Sequence, residues 1–274
     1  MTDSSEWTGP VGTAWAREWR RTDRSFGALT DRLLDPAAIG GFARALDIGC
    51  GAGELVERLA AAHPRARVTG LDISAELLAV ARSRCAHLPN ARFAECDAAQ
   101  WQAASGEALD LLVSRHGVMF FADPRGAFAH LRAQRGPGAS LRFSCFRARA
   151  DNAWASALDA APALPPSAAD PDAPGPFAFA ERDRVAGILG AAGWTEVAFE
   201  PLDYAMIAGE GEGAVEEAFA YFQRIGPAAR ALREMPADGR PAALDRLRGM
   251  IAAHHRSGLV ALDAAAWIVT ARAP

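Results

Sequence analysis

The sequence predicts an α/β fold: a mostly parallel sheet with helices on both faces. Three observations carry this. From Ala43 onward short apolar runs alternate with helical stretches. The runs are almost continuously apolar, as strands covered on both faces are. At 45–53 the first of them breaks into alternate glycines, A-L-D-I-G-C-G-A-G, before helix-forming sequence resumes with ELVERLAAA.

Upstream, residues 13–34 set Trp15, Trp19, Phe26, Leu29 and Leu33 at helical spacing, which predicts one amphipathic leader helix, broken near Gly27. Its apolar face either packs on the main domain or closes over a ligand. Strand candidates follow at 44–48, 67–72, 91–96, 109–114 and 140–146. The 97–108 connection is the weakest crossover. Residues 161–176 are crowded with proline and read as a structured flap. A helix at 181–192 ended by Gly193, a strand at 195–206, helical stretches at 213–235 and 241–256, and a strand at 265–272 complete seven strands. No internal repeat is apparent.

Composition narrows the function. The 274 residues, 50% hydrophobic and 23% charged, suffice for one full-sized domain or a domain with a small appendage. All 29 basic side chains are arginine, so Schiff-base chemistry, a lysine general base and the P-loop are excluded. The missing lysine, with abundant Ala and Arg, fits the coding bias of a high-GC genome. A net charge of −4 gives no general attraction for nucleic acid, which is not an expected partner. Cys50, Cys85, Cys96 and Cys145 form no C-x-x-C and read as reduced core cysteines of a cytoplasmic protein. MTDSSEWTGPVG lacks signal-peptide order, and no apolar run approaches the ~18 residues of a membrane span.

The glycine segment carries the chemistry. An apolar strand entering Gly49-x-Gly51-x-Gly53 lets backbone approach a ligand while the next helix aims free N–H groups at it. The dinucleotide pattern G-x-G-x-x-G would need glycine where Glu54 stands, a carboxylate that would repel a pyrophosphate. A single nucleoside with a short polar tail fits better. Asp72 ends the second strand candidate, where a carboxylate can accept from both ribose hydroxyls; Asp97 follows the third, where it can accept from an adenine amino group. Asp47, Asp72 and Asp97 together suit a cationic ligand. Taken singly, Asp72 or Asp97 could equally cap a helix.

LDIGCGAG, VTGLDIS, AECDA and the D-x-L-V-S-R strand resemble, in order and spacing, the class I S-adenosylmethionine-dependent methyltransferases over about 43–146. WTGPVGTAW, SRHGVMFFADP and AAWIVTARA further resemble the UbiE-like small-molecule group. The resemblance implies a Rossmann-like, seven-stranded sheet with an antiparallel last strand. It also implies an N-terminal helical lid at 1–42, a methyltransferase domain at 43–274, and acceptor-side insertions at about 147–180 and 205–256. It implies S-adenosyl-L-methionine as cofactor and S-adenosyl-L-homocysteine as product. Backbone at Gly49, Cys50 and Gly51 would line the methionine part, with Asp47 facing its amino group. Asp72 would hold the ribose, Ile73 the adenine face, and Asp97 with the Ala98 N–H the adenine edge. The Ser114 carbonyl would sit beside the methionyl amine. Apart from the resemblance, Trp15 and Trp19 would close over the cofactor if the leader helix is a lid.

Methyl transfer by in-line displacement requires mainly that an acceptor lone pair be aligned and water excluded. His116, after the fourth strand, is the candidate base, or a histidine packed in its turn. Arg115 is the candidate partner of an acceptor carboxylate, or of a neighbouring acid. Asp123 before Pro124 reads as a helix cap. No metal is expected, because adjacent His254 and His255 diverge on a helix. Cys50 and Cys145 read as packing residues. Trp154, Phe177, Phe179, Met206, Phe219, Tyr221 and Phe222 are candidate pocket walls, with Arg147 or Arg149 for an acid group. The expected acceptor is a small molecule methylated at oxygen or carbon; a peptide or protein acceptor and a non-catalytic cofactor-fold module are the alternatives. A homodimer contact is as open to the flap and last helices as a pocket wall.

Overall fold

The computed structural model describes residues 4–104, 106–156 and 173–274. Five parallel strands, β1 (Arg44–Ile48), β2 (Arg67–Asp72), β3 (Ala91–Glu95), β4 (Leu109–Arg115) and β5 (Arg135–Phe146), precede β6 (Thr195–Glu210), a short β7 (His255–Arg256) and β8 (Leu259–Arg272). The sheet runs β3-β2-β1-β4-β5-β8-β6, with β8 antiparallel to both neighbours. All seven expected strands are present, in a mostly parallel sheet. The additional β7 pairs with the start of β8 because Ser257 and Gly258 both take positive φ, 49° and 80°, and fold the chain into a tight hairpin. The chain order reverses across β1, which lies between β2 and β4. This is the switch point where open α/β sheets meet ligands.

The single leader helix is instead a chain of short helices: α1 (Ser4–Trp7), α2 (Pro10–Arg17), α3 (Trp19–Ser25), α4 (Gly27–Leu33) and α5 (Pro36–Ile39). It breaks at Glu18 and Phe26, each the shared cap of two helices. Trp15, Phe26, Leu29 and Leu33 reach the core as the spacing predicts. Trp19 does not; it lies between the guanidinium groups of Arg20 and Arg84, 4.3 and 4.8 Å from its ring.

Between strands run α6 (Glu54–Ala62), α7 (Ala75–Arg84) and α8 (Pro124–Ala133); after β5 come α9 (Ala153–Ser156) and α10 (Arg182–Ala191). The 97–108 crossover forms no helix among the described residues. Most of the proline-rich flap lies outside the described residues. The expected 213–235 helix is two, α11 (Ala214–Phe222) and α12 (Gly226–Glu234), separated where Gly226 takes φ 80°. The last helix, α13, is Arg240–Ala253.

The two sheet faces differ. Phe143 packs with Phe128 and Phe179 on the α8 side. Arg142, Ser144 and Phe146, at alternate positions, face the leader, and Arg142 donates to the Leu33 carbonyl at 2.8 Å. β6 and β8 extend beyond the end of β5, so the sheet gains a wall at its carboxyl edge.

Candidate functional site

Gly49 and Gly51 take φ 68° and 52°, the left-handed region that favours glycine. A Cβ at Gly49 would come within 3.0 Å of Gly117 Cα, whereas one at Gly51 would meet nothing within 4 Å. The turn is therefore closed on its sheet side and open on its outer side. Cys50 fits inward because residue 70 is glycine: a Cβ there would lie 2.8 Å from Cys50 Sγ.

Asp72 accepts from the Gly51 N–H at 2.8 Å and the Ser74 N–H at 2.9 Å. Burial raises its pKa, and N–H donors from Ser74, Gly51 and Ile73 oppose the rise. The helix cap at this strand end is Ser74, not Asp72. Asp97 is exposed and accepts from the Ala99 N–H at 2.9 Å, beside buried Ala98.

Asp47 is 1% exposed, and neither carboxylate oxygen has a partner among the described residues. Burial pushes its pKa up to about 8; the Arg115 charge opposes this, and Asp72 and Glu54 add to it. A buried acid without a partner persists as the neutral carboxyl or beside a cation.

Buried Ser114 donates from Oγ to the Ile48 carbonyl at 2.7 Å and accepts from the Gly117 N–H at 3.1 Å, pinning the ends of β1 and β4 together. Arg115 has both terminal nitrogens engaged: Nη1 with Glu54 and with Thr30 Oγ1 at 2.8 Å, Nη2 with Asp23 at 3.2 Å. Asp23 also pairs with Arg84 at 2.5 Å, and Arg84 with Glu57. Glu54, which the sequence marks only as hostile to pyrophosphate, thus anchors an ion-pair chain that reaches the leader.

His116 takes φ 65°, uncommon outside glycine. Its ring stacks on Phe146 with centroids 3.9 Å apart and meets the Phe26 edge at 5.2 Å. Nδ1 lies 3.4 Å from Ser144 Oγ, and Nε2 has no partner among the described residues. Burial, then the Arg115 charge, pushes its pKa down to about 3, so the ring is neutral.

Trp154 and Phe177 stack at 5.7 Å beside Phe146, and Met206 and Tyr221 are buried. Phe179 lies with Phe128 and Phe143 on the opposite face. Arg147 pairs with Asp203 at 2.7 Å and Asp151 at 3.2 Å; Arg149 lies over Phe177. Asp123 accepts from the Gly126 N–H as the cap of α8. Among the described residues no group of His, Cys, Asp and Glu could hold a metal, and no helix is long and apolar enough to cross a membrane.

Sequence reasoning missed Trp7 and Tyr204. Trp7 packs 5.6 Å from Trp15 and 5.2 Å from Phe120, and its carbonyl lies beside Gly12. Tyr204 is one of only two tyrosines in the chain, and both are buried, a signal composition could have offered.

Residues 45–138 match a methyltransferase domain family. The trans-aconitate 2-methyltransferase of Paracidovorax citrulli (strain AAC00-1) is 38% identical over 109 residues, 40% of this chain and 41% of that protein. Its counterpart in Delftia acidovorans (strain DSM 14801 / SPH-1) is 39% identical over 97 residues, 35% of each. The chain therefore matches about two fifths or less of the length of these relatives. A Bacillus halodurans structure described as a methyltransferase superposes with TM-score 0.55 at 14% identity, covering 90% of this chain and all of that one (100%). The Haemonchus contortus phosphoethanolamine N-methyltransferase 2 complex with S-adenosyl-L-methionine gives 0.56 at 16% identity, covering 95% of this chain and 56% of that one. These structural likenesses concern the fold.

Proposed function

We propose that the chain is a class I methyltransferase that transfers the methyl group of S-adenosyl-L-methionine to a small-molecule acceptor, at oxygen or carbon. One observation carries this reading: the open glycine turn with Asp47, Asp72 and Asp97 in order at the carboxyl ends of three neighbouring strands. The residues fit that cofactor. Asp47 is a buried acid whose missing partner an ammonium would supply, and the outer side of Gly51 leaves backbone open to a ligand.

The cofactor supplies an electrophilic methyl on a sulfonium. Asp72 accepts from the ribose hydroxyls, and its own N–H donors hold it in place for this. Ile73 covers the adenine face, and Asp97 with the Ala98 N–H reads its edge. The Ser114 carbonyl and the backbone of Gly49, Cys50 and Gly51 line the methionine part. Trp15, with Trp7 and Phe120, keeps water from the turn, while Trp19 contributes by holding α3 against α7. The region at 1–42 acts as a cover whose α3 and α4 are fixed by ion pairs, not as a free lid.

The acceptor lies on the leader-facing side, among Phe26, His116, Phe146 and Trp154. Arg115 takes the structural of its two roles, because Glu54 and Asp23 neutralise it. Holding and orienting the acceptor in a dry site is the protein's main contribution. A small molecule is favoured over a peptide because aromatic side chains crowd this region. A module released from cofactor binding would have no use for unpaired Asp47.

Calorimetry with S-adenosylmethionine and S-adenosylhomocysteine tests the cofactor, followed by incubation of a metabolite extract with methyl-labelled cofactor. We expect binding of both and label in a small molecule. Absence of binding at millimolar concentration would defeat the reading.

A further inference from the structure

On the leader-facing side of the sheet, two neutral side chains bury polar atoms that have no partner among the described residues: His116 Nε2 and Tyr204 Oη. Their placement follows from strand register. On β8, Ala266 pairs with Phe146 of β5 and Ala264 with Tyr204 of β6. Positions 264 and 266 share a face, so Phe146, which carries the stacked His116 ring, and Tyr204 rise from the same side of the sheet. They stand two strand spacings apart and two residues offset along the strands, roughly 12 Å between Cα atoms. The floor between them is alanine, Ala264 and Ala266, both buried. Phe26 from the leader lies on this side, in contact with His116 and beneath the Arg115 guanidinium.

We propose that His116 Nε2 and Tyr204 Oη form an acceptor-hydroxyl subsite that selects a planar, phenol-type molecule over a carboxylate. The proposal rests on the methyltransferase reading of the same site and specifies its substrate class. A hydroxyl has one proton to give and lone pairs to receive. With Nδ1–H donated to Ser144 Oγ, His116 Nε2 accepts that proton's hydrogen bond, and the Tyr204 hydroxyl donates to the acceptor oxygen. The aromatic surfaces of Phe26, Phe146 and Trp154 suit a flat ring. A carboxylate would be buried here without a countercharge. Arg115 is committed to Glu54, Asp23 and Thr30, and Arg142 to the carbonyls of Arg32 and Leu33. His116, held neutral, supplies no countercharge for an acid.

The test uses the full chain saturated with S-adenosylhomocysteine, with 2-naphthol and 2-naphthoate as fluorescent probes that share one flat ring and differ in the polar group it carries. The expected result is 2-naphthol binding about tenfold or more tighter than 2-naphthoate. Tyr204→Phe, which only removes a buried hydroxyl without a partner, should keep its S-adenosylhomocysteine affinity and lose roughly two- to tenfold in 2-naphthol affinity. His116→Asn, asparagine being tolerant of positive φ, should lose a similar factor. Equal or tighter binding of 2-naphthoate, or unchanged 2-naphthol affinity in Tyr204→Phe, overturns the subsite alone. Failure to bind S-adenosylhomocysteine overturns the methyltransferase reading and the subsite with it.

Discussion

Asp47 and Asp72 end neighbouring strands, yet their surroundings fit them for different work. Asp72 is held by two backbone N–H donors and points a carboxylate at the turn. Asp72→Ala should weaken S-adenosylhomocysteine binding by about tenfold or more, read by calorimetry, because charge-assisted hydrogen bonds are lost. Asp47 has no such donors, and its pKa rises from 3.8 toward about 8. Its folded value is the higher one, so the fold holds a proton that the unfolded chain releases. Stability from this group is complete below about pH 4 and declines as pH rises toward 8. The thermal stability of Asp47→Asn relative to wild type should therefore climb across that window and level off above it, by an amount on the order of a few kcal/mol. A flat difference across the window would exclude the buried, unpaired state. The residues of the glycine turn and Asp72 were legible because each belongs to a local strand-turn pattern. Tyr204 was not, because only antiparallel pairing through β8 brings it near His116, and no local spacing encodes that pairing.

Among the elements, the leader does most to shape the site. Gly12 in α2 lies so close that a Cβ would sit 2.1 Å from the Trp7 carbonyl and 2.5 Å from Ser74 Oγ. Gly12→Val should push α2 off the β2–α7 turn, costing roughly 1–3 kcal/mol in urea unfolding and weakening cofactor binding. Arg115 joins α3, α4 and α6 to β4 through Asp23, Thr30 and Glu54. Arg115→Ala would leave Glu54, largely buried, with only the longer contact to Arg58 at 3.6 Å, while Asp23 keeps Arg84, at a cost of about 3 kcal/mol in the same measurement. An effect below 1 kcal/mol would mean that solvent already reaches the chain of charges. The strands were readable because double burial demands apolar runs. Of the leader's breaks, the one at Phe26 was marked by Gly27 beside it, and the one at Glu18 was not, since glutamate carries no helix-stop signal. The β7 hairpin was hidden for a related reason: half of its turn depends on Ser257 accepting positive φ.

At the scale of the molecule, the leader welds the first half of the sheet to β6 and the late helices. Asp23 and Asp31 pair with Arg84, Arg115 and Arg58 on one side. Glu18, Arg21 and Arg24 pair with Arg224, Glu217 and Glu210 on the other. Leu29 and Leu33 share one core with Leu46 and Val113 of the sheet and with Tyr221 and Leu247 of the late helices. No half can expose its core without disrupting the other, so calorimetry should show one unfolding transition. S-adenosylhomocysteine at a hundred times its Kd should raise the stability of that whole transition by about 2.7 kcal/mol. Two resolved transitions, with only one shifted by ligand, would show that the leader covers the cofactor domain without joining it to the acceptor side. The acceptor site would then form by docking of two independently stable units, and its affinity would depend on ionic strength through the exposed Arg24 and Glu210 pair.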